Sequence, residues 1–209
     1  RYTVMALRTW STNKAQLHLM EKMDFHCETR LKNDRGEGID TLYFVKEITG
    51  KGIRAYGYTI GNGKCGIRNT ITDVPGVKVG HYTVRKGKNQ TGVTVIIPCD
   101  GFVYERKPLA AVYALNGFGK TQGTVQIEEL GVLETPIALT NTLNVGKAAD
   151  GLVTFTEKEC RKNGKELVSV NPVVGETNDS RINQITERVI EAEDVLFAIE
   201  HAEKNFKQG

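Results

Sequence analysis

From Gly92 to Lys204, short β-branched runs alternate with stretches of helical periodicity, and this alternation constrains the chain more than any single motif. The clearest strand is Gly92-Val-Thr-Val-Ile-Ile-Pro98, with further strands expected at residues 135–140 and 167–174. Residues 109–115 form another apolar run. Thr121 can cap a short helix that Gly131 ends, and Asn144 can cap a longer one to about residue 158. Residues 186–204 read as a helix with Val189, Ala192, Leu196 and Ile199 facing inward. Strands that alternate with helices pack as layers, so the fold class is α/β.

Residues 1–49 form a different unit. Residues 2–8 have strand composition, and Ser11 or Thr12 can cap a helix to about Met23. Residues 25–31 and 39–46 read as two strands joined by the turn Asn33-Asp-Arg-Gly-Glu-Gly38. The order is β-α-β-β, and the unit is too small to bury a large core by itself. Gly50-Lys-Gly52 breaks the pattern, so residues 50–52 are taken as a linker and 53–209 as the main domain. The chain opens without Met and directly on a strand, so a preceding segment is expected.

Charge and composition exclude several classes. The net charge of +3, from 28 basic and 25 acidic residues, is too small to argue for nucleic acid or membrane partners. No apolar run approaches the roughly 18–20 residues of a membrane span. Residues 1–10 are too short and too polar to read as a signal peptide, so none is expected. Cys27, Cys65, Cys99 and Cys160 are widely spaced and form no CxxC, which argues for reduced thiols and a cytoplasmic location.

The short motifs mostly lack their context. Gly61-x-Gly63-x-x-Gly66 matches a dinucleotide fingerprint as a string, but Ile67 to Pro75 is β-branched and does not open a helix. Gly119-Lys120-Thr121 ends like a P-loop, yet Ala114 stands where its first glycine belongs. His26 and Cys27 are adjacent on a strand and point to opposite faces. His18, His81 and His201 lack metal-ligand spacing, so no metal or other cofactor is expected. The three serines, Ser11, Ser169 and Ser180, lie in no nucleophile elbow, and no Gly-Ser pair occurs. The segment Val173-Val-Gly-Glu-Thr-Asn-Asp-Ser180 delivers Glu176, Asn178 and Asp179 into a loop at a strand end. A carboxylate there can bind an ammonium group or act as a base. A solvated turn is the competing reading, because Asn, Asp and Ser are turn formers.

An ordered set of stretches resembles the DmpA-type aminopeptidases, which include the L-aminopeptidase/D-esterases and the β-peptidyl aminopeptidases. The stretches are Asn69-Thr-Ile-Thr-Asp-Val-Pro-Gly-Val-Lys-Val-Gly-His81, Thr91-Gly-Val-Thr-Val-Ile-Ile-Pro98 and Leu115-Asn-Gly-Phe-Gly-Lys-Thr-Gln-Gly-Thr124. Ile127-Glu-Glu-Leu-Gly131, Thr140-Asn-Thr-Leu-Asn-Val-Gly146 and Pro172-Val-Val-Gly-Glu-Thr-Asn-Asp179 follow in order. The resemblance implies part of an αββα layered sandwich of the N-terminal-nucleophile type. It implies a precursor cut at a glycine–serine bond, freeing a serine whose own α-amine, with a pKa of about 8, serves as base. Its substrates would be peptides, amides or esters with a free amino group.

The resemblance makes Glu176 the holder of the substrate's amino terminus, and Asn178 stands where some members carry a tyrosine. Asn116 and Asn141 become pocket or framework residues. In the family the nucleophile and oxyanion donor lie beyond the part matched here. The expectation is therefore an incomplete piece, inactive alone, whose partner is the C-terminal portion of the same fold and which forms homo-oligomers.

Residues 1–49 bear a second resemblance, to the C-terminal part of GNAT acetyltransferases. Asn13-Lys-Ala15 and Glu21-Lys-Met-Asp-Phe25 look like the family's late helix and strand, and Lys32 to Phe44 like a closing hairpin. Met20 replaces a general-acid tyrosine and Asp24 a glycine, and the pyrophosphate-binding loop belongs to an upstream part of that family. No acetyl-CoA binding is expected of this chain.

Overall fold

The computed structural model describes residues 4–23, 25–47, 57–59, 61–114 and 119–207. The chain divides into two compact units, residues 1–64 and 65–209. The linker expected at residues 50–52 lies outside the described residues, as does Asp24.

Unit 1 is a β-α-β-β segment. Strands β1 (Val4–Trp10), β2 (His26–Leu31) and β3 (Thr41–Glu47) form one sheet in the order β1-β3-β2, with both pairings antiparallel. Helix α1 (Lys14–Lys22) is capped by Asn13, not by Ser11 or Thr12. The Asn13 side chain accepts a hydrogen bond from the Gln16 backbone N–H at 3.2 Å. Ser11 instead receives the Asp40 N–H at 2.9 Å and ties the helix entrance to β3. The turn between β2 and β3 is organised by Asp40, which is 6% exposed. Its carboxylate accepts from the Asn33 N–H at 2.9 Å and pairs with Arg30. Those donors, the Asn33 amide first, hold its carboxyl below the usual carboxylate range.

Unit 2 is built on a four-stranded mixed sheet, β4-β5-β6-β7. Its strands are β4 (Lys78–Lys86), β5 (Asn89–Ile97), β6 (Ile137–Asn141) and β7 (Val173–Thr177). β4 and β5 form a hairpin with Lys86 opposite Asn89. β6 and β7 are parallel, joined by the crossover helix α4 (Val145–Lys162). Val93, Val95, Ala138 and Val174 project from one sheet face against α4 and α5 (Ala192–Glu200). Leu152 of α4 and Val195 and Ala198 of α5 are fully buried there. Each large aliphatic side chain so buried contributes roughly 1.5–3 kcal/mol.

A second cluster joins Ile137 and Val173 to Val103 of α2 (Val103–Arg106) and Ile127 of α3 (Thr124–Leu130). Glu134 ties the connections around it. Its carboxylate accepts from the Lys107 ammonium at 2.9 Å and from the Asn171 backbone and side-chain N–H groups at 2.9 and 3.0 Å.

Several elements differ from expectation. α3 begins at Thr124, because Gln122 exchanges backbone hydrogen bonds with Val174 and extends the sheet. β7 occupies residues 173–177 and not 167–174, since only that stretch meets β6 in register. α5 begins at Ala192, where Glu191 and Asp194 form a capping box. Residues 109–114 adopt no helix or strand, and Leu109 and Tyr113 are exposed. The glycine-rich stretch at 61–66 is irregular and leads to a short 3-10 turn at Ile71–Asp73, so it lacks the strand–helix setting of a dinucleotide site.

Candidate functional site

Parallel strands end together, and the carboxyl ends of such strands are where open α/β sheets place their ligands. In unit 2 that place is the end of the β6/β7 pair, where Thr140 lies opposite Glu176 and Asn141 opposite Thr177. Beyond β6 the chain makes a 3-10 turn, Thr142–Asn144, and enters α4.

Both Glu176 oxygens are held. Oε2 accepts a short hydrogen bond from the Thr142 hydroxyl. Oε1 accepts from the Lys120 backbone N–H at 3.2 Å. Gly119 packs directly on Oε1, and a Cβ at that position would lie 2.8 Å from it. A carboxylate has about four lone-pair sites, so two donors leave room for a third. The arrangement presents a fixed anion that can receive an ammonium group.

Asn141 acts as framework. It is 3% exposed. Its Oδ1 accepts from the Asn144 N–H at 3.1 Å, and its Nδ2 donates to Thr91 Oγ1 at 2.9 Å. The Thr91 hydroxyl donates onward to Asp179 Oδ2 at 2.6 Å. Asp179 Oδ1 accepts from Asn183 Nδ2 at 3.2 Å, and Asn183 Oδ1 accepts from the Gln90 N–H at 3.2 Å. This chain of bonds clamps the loop after β7 onto the start of β5 and fixes the turn that carries Thr142.

Asn178 is exposed, and its Oδ1 accepts from the Ser180 N–H at 3.1 Å, closing its own turn. Asn116 lies outside the described residues. Thr142, Thr91 and the Lys120 N–H escaped sequence reasoning, because threonines and backbone amides carry no distinctive pattern. No group of three or more His, Cys, Asp or Glu side chains able to hold a metal occurs among the described residues. No described helix is long and apolar enough to cross a membrane.

The Thr142 contact can be tested directly. Thr142→Val should cost about 1–2 kcal/mol in urea unfolding, since it leaves a carboxylate lone pair without its donor, and Thr142→Ser should recover most of the loss.

The sequence profile of Peptidase family S58 matches residues 69–209. The β-peptidyl aminopeptidase BapA of Sphingosinicella microcystinivorans is 35% identical over 150 residues, covering 67% of this chain and 36% of that protein. The solved PH0078 protein of Pyrococcus horikoshii OT3 aligns with a TM-score of 0.70 at 45% identity, covering 75% of this chain and 47% of that one. The L-aminopeptidase D-Ala-esterase/amidase of Ochrobactrum anthropi, a prototype serine aminopeptidase with a variant Ntn hydrolase fold, aligns at 0.63 and 30% identity. It covers 71% of this chain, which covers 44% of it. The chain thus spans a little over a third of the length of the curated relatives it matches.

Proposed function

The chain belongs to Peptidase family S58, and from that premise we propose that unit 2 carries the amine-recognition side of a self-processing aminopeptidase site. Glu176 binds the ammonium of a peptide, amide or ester substrate. The observation that carries this reading is the Glu176 carboxylate, fixed at the end of β7 by Thr142 and the Lys120 N–H with acceptor capacity left over. Asn178 borders the same loop and contributes polar contact to the substrate, while Asn141 holds the frame.

The nucleophile in this reading is a serine released by autoproteolysis after a glycine. None of Ser11, Ser169 and Ser180 follows a glycine, so the reading assigns the nucleophile to a part of the fold these residues do not supply. Leu139, on the inner strand β6, is 42% exposed on the sheet face opposite Ala138, which supports packing of a further layer there. The exposed part of that face around Leu139, beyond the cluster that covers Ile137 and Val173, supports self-association. The four free cysteines, two of them exposed, support a cytoplasmic location.

Two measurements test this. Binding of alaninamide to the purified chain, followed by NMR, should weaken about tenfold or more in Glu176→Gln, the loss of one charge-assisted bond. Equal affinity in the two proteins would remove Glu176 from the role. Separately, the 209-residue chain should not hydrolyse alanyl or β-alanyl p-nitroanilide, and turnover would place a nucleophile within it.

The β-α-β-β order of unit 1 and its β2–β3 hairpin support a second reading for that unit alone, as the C-terminal part of a GNAT-like acetyltransferase. Isothermal titration with acetyl-CoA tests whether ligand binding survives there. A saturable heat would show that it does, and a flat titration would leave unit 1 without that activity.

A further inference from the structure

The turn of the β4–β5 hairpin and the 3-10 turn at Ile185–Glu187 border an open surface cavity of about 480 Å³ that the proposed amine site does not use. Lys86, Lys88 and Asn89 line it from the hairpin, and Gln184, Glu187 and Val189 from the opposite wall. The walls are stapled together. The Gln184 N–H donates to the Lys88 carbonyl at 3.0 Å, and Asn89 Nδ2 donates a short hydrogen bond to Glu187.

That bond orients the Asn89 amide and leaves its carbonyl oxygen as the remaining acceptor. Asn89 is 8% exposed, and Oδ1 is buried without a hydrogen-bond partner among the described residues. That oxygen has almost no accessible surface, so what this wall offers a ligand is the exposed Glu187 carboxylate. That carboxylate favours a cationic group. The two lysines carry the opposite charge, and neither pairs with a carboxylate among the described residues.

A simple amine would meet both ammonium groups, and a simple anion would meet Glu187. A ligand bearing an ammonium and a carboxylate satisfies both walls. We propose that the cavity between the β4–β5 turn and residues 184–189 binds a small zwitterion of the amino-acid class. Its ammonium lies toward Glu187, and its carboxylate toward Lys86 and Lys88. Val189 supplies the apolar surface for the intervening carbons.

Ligand-observed saturation-transfer NMR on the full chain tests this, because it tolerates any size of assembly. The titration uses glycine and β-alanine, with acetate and methylammonium as single-charge controls, in a Glu176→Gln background that removes binding at that carboxylate. Saturable transfer to the two zwitterions is expected, with neither control saturating in the same range. Glu187→Gln and the double variant Lys86→Ser/Lys88→Ser, all at exposed positions, should each weaken the zwitterions by about fivefold, the loss of one exposed charge pair. No saturation, equal response to a control, or indifference to both variants would each overturn the proposal. Because the background lacks the Glu176 carboxylate, failure here is separate from failure of the aminopeptidase reading.

Discussion

Replacing Gly80 with valine is expected to destabilise unit 2 by about 3 kcal/mol or more, an overpacking cost at the upper end of its usual range. Gly80 lies on β4 where α5 crosses closest. A Cβ there would sit 1.8 Å from the Ala198 carbonyl oxygen and 3.1 Å from the Ala202 Cα. Both obstacles are backbone atoms, so no side-chain rotation relieves the clash. The helix has to lift, and it carries Val195, Ala198 and Ile199 out of the core with it. Gly146, on the first turn of α4, provides the contrast. Nothing lies within 4 Å of a Cβ there, so Gly146→Ala should be neutral or stabilising by about 0.5–1 kcal/mol. Urea unfolding followed by far-UV circular dichroism reads both variants. A wild-type midpoint for Gly80→Val would mean that α5 does not pack on β4 as described.

Removing the Glu134 side chain should cost about 3 kcal/mol, because two Asn171 donors and the Lys107 ammonium lose their acceptor at once. Burial by itself would raise the carboxyl's pKa. The Lys107 ammonium and the Asn171 donors outweigh that and hold it below its ordinary value. The sign of the pH dependence follows. The unfolded chain, with an ordinary glutamate pKa of about 4.3, binds a proton before the folded one does. The stabilisation is therefore complete above that value and is lost as pH falls through the lower folded pKa. Glu134→Ala measures the loss at neutral pH. Glu134→Gln, which keeps an acceptor for Asn171, should flatten the acid limb of stability against pH. An acid limb of unchanged slope would show that Lys107 and Asn171 do not perturb this carboxyl.

Much of the framework was legible in the sequence, for a physical reason that also sets its limit. β5 alternates apolar residues, and Val93 and Val95 are indeed the buried set. The β-α-β-β order of unit 1 and the α/β class followed from similar local periodicity. Residues 167–170 carry the same apolar character, yet Val168 is 88% exposed and the strand forms later, at residues 173–177. A parallel strand is defined by its partner, and β6 pairs only with the later stretch. Asn144 does stand at the N-cap of α4, but its side chain makes no capping bond there, and Asn141 caps the 3-10 turn that precedes it. Of the inward set expected for α5, Ile199 is buried, while Ala192 and Leu196 are only partly so and Val195 and Ala198 fill the core beside it.

The candidate site divides in the same way. Glu176 could be picked out as an acid at a strand end within a resembling motif. Its donors could not, since Thr142 is 34 positions away and Lys120 is 56 positions away, and only the sheet topology gathers them. Asn178 stood out as the residue found where some members of the resembling family carry a tyrosine; the bond by which its Oδ1 closes its own turn is visible only in the folded loop.

The long span between Glu176 and its donors has a thermodynamic corollary. The carboxylate takes its place only after β7 has docked beside β6 and the crossover through α4 is complete. A molecule that engages Glu176 therefore selects the docked state over every partly opened one. By mass action it must raise the melting temperature of unit 2, by the equivalent of about 2.7 kcal/mol at a hundred times its dissociation constant. The site can thus be surveyed by thermal melting against a panel of amines, with no catalytic turnover required.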